Sequence, residues 1–418
     1  KSNQVDVMGL QATLYLNGQE CDIREIQMLR PRDIEKIEYH DAPSGKYAKD
    51  KLVVNFITKQ YRYGGYVQAD GLQTIGYDHG DYNVATNYVK GNNSYTVFAG
   101  ANYSHVDGTE TWNNENYQFP QSLFDRESYS RNSYRNHQEY MQFRYQNQKG
   151  KRYWVGKFTL VNLSTPRNAS SGFARESIET DIFSNIRKKS LSPKIDLNAN
   201  LPLSKNQTLT LGVHGKYSAN SYHRLYQEQP FEAMTDEDEK ALSFQLSAIY
   251  NYFSQKHSLS VELFHYHDVW NADYSGNCEL WQHLWKGESL AFFSYNFQAS
   301  RRLSLKTRIG LDWLQYHLHG DNSFSQLSPR INTNVQYQLN KGMLLWSFNF
   351  MNSNHGMDVI NRAMIQVNSH MMEKGMPELK KSHDINTYLY YMGRFNRLSV
   401  SAIGQFRYNH HPVTDDYY

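Results

Sequence analysis

Apolar and polar residues alternate with a period of two along much of the chain. Leu303, Leu305, Ile309, Leu311 and Trp313 fall on one side, and Ser304, Lys306, Arg308 and Asp312 on the other. Ile331, Val335, Tyr337 and Leu339 oppose Asn332, Asn334, Gln336 and Gln338. Leu209, Leu211, Val213 and Tyr217 oppose Thr210, His214, Lys216 and Ser218, and Ile195, Leu197, Ala199 and Leu201 oppose Lys194, Asp196, Asn198 and Asn200. In a strand this period puts each set on its own side of the sheet. The pattern predicts strands with one apolar and one polar face.

Short polar turns separate these strands: Gly91-Asn92-Asn93, Asn147-Gln148-Lys149-Gly150, Ser204-Lys205-Asn206-Gln207, Ser254-Gln255-Lys256-His257, Ser300-Arg301-Arg302, Asn340-Lys341-Gly342 and Arg394-Phe395-Asn396-Arg397. They lie roughly 40–57 residues apart, room for two strands of about 10–18 residues and one long loop. The stretches from Thr109 to Arg135 and from Asp268 to Glu288 are read as such loops. Short turns at one end and long loops at the other are the pattern of an up-and-down transmembrane barrel. Trp313, Trp346, Phe350, Phe293, Tyr295 and Phe297 sit where rings meet a bilayer interface. About fifteen strands are expected, from near Tyr63 to near Tyr408.

Composition narrows the reading. Of 418 residues, 14% are aromatic, with 33 tyrosines, which argues against disorder. No apolar run approaches the length of a membrane helix, but an alternating barrel strand needs none. A formal charge of +3 is too small to imply a nucleic-acid partner. Cys21 and Cys278 stand far apart in the sequence and are expected to be unpaired. The chain starts at Lys1 without a signal peptide and ends at Tyr418 without a closing element, so it is read as an internal fragment of a longer precursor.

The first 59 residues read differently, as a compact α+β piece. Ala12 to Leu16 forms a strand ending at the turn Asn17-Gly18, and Asp22 with Glu25 resembles a helix cap. Ile23, Ile26 and Leu29 give a helix face that Pro31 ends. Ile37 and Tyr39 open another strand, closed by the turn Asp41-Ala42-Pro43-Ser44-Gly45, and Leu52 to Thr58 is apolar on both faces, as for a covered strand. Leu16-Asn17-Gly18, Pro31-Arg32-Asp33-Ile34-Glu35-Lys36-Ile37-Glu38-Tyr39, and Ala42-Pro43-Ser44-Gly45-Lys46-Tyr47 leading into Val53-Val54-Asn55-Phe56-Ile57-Thr58-Lys59 resemble, in order, the second half of the plug of TonB-dependent outer-membrane receptors. Gly375-Met376-Pro377-Glu378-Leu379-Lys380 is similar to a motif before a late barrel strand of that family.

The resemblance implies residues 1–59 as the C-terminal half of a plug and 60–418 as the N-terminal part of a barrel of about 22 strands, of which about 15 are present. It implies a bacterial outer-membrane receptor importing a scarce solute, with residues before Lys59 inside the barrel. Its partners would be outer-membrane lipid and lipopolysaccharide, the inner-membrane TonB complex, and a surface lipoprotein that captures substrate. A barrel that exports or displays a surface protein, and a soluble carbohydrate-binding β protein, are the competing readings.

No constellation suits an enzyme: no nucleophile stands with its base, and no cofactor is implied. His265, His267, His317 and His319 continue outward faces without further ligands, so no metal site is expected. Asp236-Glu237-Asp238-Glu239 reads as a solvated loop, Asn168-Ala169-Ser170 as a chance sequon, and Gly64-Gly65 as the passage into the barrel. Trp270, Tyr274, Trp281 and Trp285 are the ligand-binding candidates, gathered in one loop where rings could stack on a glycan. Arg144, Lys216, Lys306, Arg308 and Asp312 are expected to face the lumen. Asp312→Lys is therefore expected to be milder than Leu311→Lys, which would put a charge into lipid.

Overall fold

The computed structural model describes residues 6–7, 10–21, 23–27, 29–40, 52–59, 61–118, 123–321, 323–353, 357–377, 381–395 and 398–410. A pair of two-residue strands, β1 (Asp6–Val7) and β2 (Leu10–Gln11), precedes a four-stranded sheet. Its strands are β3 (Thr13–Leu16), β4 (Gln19–Glu20), β5 (Ile34–His40) and β6 (Val53–Thr58), in the order β4-β3-β6-β5. β6 is central, parallel to β3 and antiparallel to β5. One face carries Ala12, Leu14, Leu52 and Val54 under Ile23 and Ile26 of the helix α1 (Ile23–Gln27), and Tyr15 and Val53 form a second buried cluster. Asn17 and Gly18 both have positive φ, 52° and 80°, the conformation a two-residue hairpin requires. Asn55 fixes that hairpin by accepting the Gly18 amide at 2.9 Å. Asp22 and residues 41–45 lie outside the described residues.

After a few residues the chain enters a second, far larger sheet. β7 (Tyr63–Thr74), β8 (Asp78–Lys90), β9 (Asn93–Gln118), β10 (Leu123–Lys149), β11 (Arg152–Arg175), β12 (Glu179–Ser204) and β13 (Gln207–Glu228) pair antiparallel in sequence order. β14 (Phe231–Phe253), β15 (His257–Gly276), β16 (Leu280–Gln298), β17 (Leu303–Leu318), β18 (Ser323–Leu339) and β19 (Gly342–Ser353) continue the meander. The chain then makes a short helix, α2 (Met357–Ile360), and a small hairpin, β20 (Met364–Gln366) with β21 (Met372–Lys374). It returns to the wall as β22 (Ser382–Phe395) and β23 (Leu398–His410), completing an up-and-down sheet of 15 strands. Among the described residues β7 and β23 each pair on one side only.

The alternation resolves into two faces. Leu311 is 52% exposed on the outer face, whereas Asp312, its neighbour in the chain, is 0% exposed on the inner one. Ile195, Leu197, Tyr217, Leu263, Phe293 and Ile309 are exposed with Leu311, forming the apolar outer band of a membrane barrel. Among the described residues no helix is long and apolar enough to cross a membrane.

The expected long loops are strand. β9 and β10 run for 26 and 27 residues, whereas a tilted strand crosses a bilayer in roughly 9–11. The stretch from Thr109 to Arg135 continues the pairing of these strands, with a register shift between Asn132 and Ser133 and with residues 119–122 outside the described set. The stretch from Asp268 to Glu288 belongs to β15 and β16, with only residues 277–279 between them. Asp236 to Glu239 lies inside β14 and Asn168 to Ser170 inside β11. The reason is that a ladder needs only paired backbone groups; Thr, Tyr and Trp sustain it as well as aliphatic residues do. Cross-strand rings such as Trp112 on Tyr129, 4.6 Å apart, hold the polar extensions together.

Leu311→Lys should destabilise the folded barrel in lipid by about 2–4 kcal/mol, while Lys306→Gln on the inner face of the same strand should be nearly neutral. Urea midpoints in bilayer vesicles test the pair. The reverse order would mean a register shifted by one residue.

Candidate functional site

The N-terminal sheet sits against inward-facing side chains of the wall. Arg144 on β10 is buried and donates to the Leu16 carbonyl at 3.2 Å, on the rim of the Asn17-Gly18 turn. Lys157 on β11 donates to the Glu20 carbonyl at 2.6 Å, lies 3.9 Å from Glu25 of α1, and reaches Asp196 of β12 at 3.6 Å. Asp196 in turn holds His214 of β13 at 2.6 Å. At the chain passage, buried Asp33 accepts from Arg30 at 2.6 Å and from the Tyr61 hydroxyl at 2.9 Å, and Arg30 lies 4.1 Å over the Tyr66 ring of β7. A cavity of about 400 Å3 separates His40 from Asn200, Thr210, Ser260, Glu262 and Ser294 of the wall.

At the other end, the segment 357–377 folds back onto the same inner face. Ile360 and Ala363 pack among Ala272, Tyr274, Leu284, Leu314, Tyr316 and Leu318, with Trp270 at the edge. Gln282 donates to Asn361 at 2.5 Å and accepts the Arg362 amide at 2.8 Å. The Tyr316 hydroxyl donates to the Pro377 carbonyl at 3.1 Å. Arg224 donates to the carbonyls of Gln366, at 3.0 Å, and of Val367. Ser369 donates to Glu228 at 2.7 Å, and His370 meets Glu176 at 2.7 Å. Arg126 joins these two carboxylates, 2.6 Å from Glu228 and 2.8 Å from Glu176. Burial opposes ionisation of Glu228, but hydrogen bonds from Ser369 and Tyr226 and the Arg126 charge outweigh it and hold its carboxyl below the usual range. Burial, with Glu237 alongside, pushes the Tyr274 hydroxyl up.

A polar inner wall carries a small domain seated against one end and a strap folded into the other. Solved structures share this fold. The pyoverdine outer-membrane receptor FpvA from Pseudomonas aeruginosa matches with a TM-score of 0.60 at 11% identity, over 95% of this chain and 62% of that one. The ferric yersiniabactin uptake receptor FyuA from Yersinia pestis matches at 0.52 and 10%, over 97% and 73%, and the copper transporter OprC at 0.56 and 11%, over 95% and 63%. The fold is that of the TonB-dependent outer-membrane receptors. At this identity the likeness is one of fold, and the chain spans less than two thirds of FpvA and of OprC. No protein-family model matches the sequence, and no curated protein matches it.

On this sheet the four aromatic candidates divide between two faces. Trp270 and Tyr274 point inward: Lys286 lies 5.4 Å from the Trp270 ring, and the Tyr274 hydroxyl donates to Glu237 at 2.9 Å. Trp281, 48% exposed, and Trp285 point outward; Trp281 stands edge-on to His319 at 5.0 Å, and Trp285 donates to His267 at 3.1 Å. The expected convergence in one loop is corrected, because both stretches are strand and residues of opposite parity must face opposite ways. Among the described residues no three His, Cys, Asp or Glu side chains are grouped to hold a metal ion, and Cys21 and Cys278 form no disulfide.

The charged candidates face the inner side. Arg308 donates to Glu262 at 2.7 Å and lies 3.4 Å from the Phe292 ring centroid. Asp312 binds Arg330 at 2.5 Å and the equally buried Lys381 at 2.8 Å. Lys306 is exposed to the lumen, and Lys216 stands opposite Lys194 in the β12–β13 register. The expectation that Asp312→Lys would be mild is corrected, since it would set a third cation between Arg330 and Lys381. The sequence reading missed the inward residues Leu284, Leu314, Tyr316 and Leu318. The signal was present: beyond Trp313 the alternation of β17 continues with its polarity inverted, apolar residues inside and Gln315 and His317 outside.

Asp312→Asn should cost about 3–5 kcal/mol, the penalty for orphaning a buried charge. Adding Lys381→Met should recover part of it; thermal midpoints of the single and double variants measure the coupling. The strap should respond to acid. The bond from Ser369 of the strap helps hold the Glu228 carboxyl below its usual range, so its contribution is complete above the value Glu228 takes with the strap undocked and is lost as pH falls through the docked value. Hydrogen exchange of residues 364–374 should stay slow down to that range and rise below it. Glu228→Gln should abolish this pH dependence.

Proposed function

We propose that the chain is the plug-to-barrel portion of an outer-membrane receptor that imports a solute with energy from the inner-membrane TonB complex. In this reading residues up to Lys59 are the second half of the plug and the sheet from Tyr63 onward is the barrel. The observation that carries it is the four-stranded domain held on the inner wall by Arg144 and Lys157 through the backbone carbonyls of Leu16 and Glu20. Carbonyl acceptors give a hold that is specific yet releasable, since each bond contributes only about 1.5–3 kcal/mol net. A movable stopper needs such contacts; a permanent one would be expected to bury an apolar interface. Transport then asks no bond chemistry of the chain, only recognition in the lumen and rearrangement of the domain.

Display or export of a surface protein is the second reading, in which the stopper never moves. Stacking on glycans loses its motivation, because Trp281 and Trp285 are on the outer face while Trp270 and Tyr274 support the strap.

Tethering separates import from display. Cysteines replacing Glu20 and Lys157, in a protein whose Cys21 and Cys278 are changed to serine, should be bridged by a short cleavable crosslinker. Cells deleted for the receptor and complemented with each form would be grown on a panel of limiting nutrients, with and without TonB. Growth should need both TonB and an untethered domain, and cleaving the linker should restore it. Unchanged growth with the tether closed would favour the static stopper.

A further inference from the structure

We infer that the inner wall between the N-terminal domain and the strap holds an anion-binding site built on Lys194 and Lys216, so that the solute carries carboxylate, phosphate or sulfate groups. This rests on the import reading above and names the class of solute.

Lys194 on β12 and Lys216 on β13 are direct register partners. Their chain neighbours Ile195 and Tyr217 are exposed on the outer face, so both ammonium groups project into the lumen. Like charges directly opposite each other destabilise a sheet. Several other cations of this wall are neutralised, Arg126 by Glu228, Lys157 by Asp196, Arg308 by Glu262, and Arg330 and Lys381 by Asp312, and Arg144 and Arg224 are taken up by backbone carbonyls. Among the described residues neither Lys194 nor Lys216 makes an ion pair or a side-chain hydrogen bond. The carboxylates nearby are engaged elsewhere, Asp196 by His214 and Lys157, and Glu239 by Asn220 at 2.6 Å.

The surroundings of the pair are hydroxyl donors. Ser192 and Ser218 occupy the next inward positions, their oxygens 3.1 Å apart. Thr159 and Ser243 stand opposite Lys194 and Lys216 in the flanking strands. Two ammonium groups ringed by hydroxyls, with only Glu239 near enough to act on Lys216 and no carboxylate in ion-pair contact with either lysine, match the donor needs of an oxyanion. The location is equally specific. One inward step toward the short turns, Asp196 and His214 join Lys157, which touches the N-terminal domain. Further along β13 in the other direction, Arg224 holds the strap. A solute trapped between the two elements would meet the lysine pair, and its charge would offset the repulsion between the two ammonium groups.

Inorganic pyrophosphate, titrated calorimetrically into the full chain in detergent at low salt, is the probe. It should bind saturably, and Lys194→Gln with Lys216→Gln should weaken it by about tenfold or more. Lys306→Gln, which removes a lumen lysine away from the pair, should leave it unchanged. Without anion, Lys216→Gln alone should raise the thermal midpoint, because it relieves a repulsion, and pyrophosphate should raise the midpoint of the wild type and of Lys306→Gln but not that of the double variant. Absence of saturable binding, an equal loss in Lys306→Gln, or a lowered midpoint in Lys216→Gln would overturn the site. Should the double variant fail to fold, Ser192→Ala with Ser218→Ala must weaken binding for the site to stand. Binding by the purified chain does not require transport. Loss of TonB-dependent growth would therefore strike the import reading and leave the site intact.

Discussion

The antiparallel ladder of the wall is the constraint on which everything else depends. In lipid an unpaired backbone amide or carbonyl costs several kcal/mol, so strands follow one another as neighbours and side chains alternate between the two faces except at the few register shifts of β9 to β12. That is why Leu311 and Asp312, adjacent in sequence, live in different solvents. It is also why the chemistry is confined to every second residue. Arg144, Lys157, Asp196, His214, Lys216 and Glu262 all have inward parity, and no outward residue can join them without a bulge.

The same strand changes its role along its length. Through the apolar band the outside is greasy and the inside polar. On β17 this reverses beyond Trp313, where Leu314, Tyr316 and Leu318 turn inward to bury Ile360 and Ala363. The inversion is a physical necessity for a strap folded into the mouth: its apolar residues need an apolar seat, and the surrounding water asks for polar residues outside. Polar anchors then complete the seat at both ends of the strap, Arg224 and Glu228 on one flank and Tyr316 on the other.

The meander, the count of wall strands and the N-terminal hairpin were legible in the sequence, because period-two alternation, polar turns and Asn17-Gly18 each act locally. Turns at Gly91-Asn92 and Lys205-Asn206 fall where polarity placed them. Strand length was not legible. From Thr109 to Gln118 the residues are polar on both faces, and only the cross-strand partners in β10 make them strand. The aromatic cluster failed for the same reason, since assigning Asp268 to Glu288 to a loop removed the parity that separates Trp270 from Trp281. The inward side of Arg144, Lys216, Arg308 and Asp312 follows from parity alone. Their partners, such as Lys381 for Asp312, come from distant chain and could not be read from spacing.

On the inner wall the buried carboxylates and most of the buried cations are matched in ion pairs. Buried ions such as Asp312, Arg330 and Lys381 are tolerable only as a mutually satisfied set, and they fix where β22 rejoins the wall. Charges exposed to the lumen face no such demand, because water screens them. Lys194 and Lys216 are nevertheless placed opposite each other, where a single swap to Gln or Ser would remove the repulsion without disturbing a partner. A wall shaped only for stability would favour that swap. Their juxtaposition, between a domain held by carbonyl contacts and a strap held by Arg224 and Glu228, is better understood as stability given up for recognition.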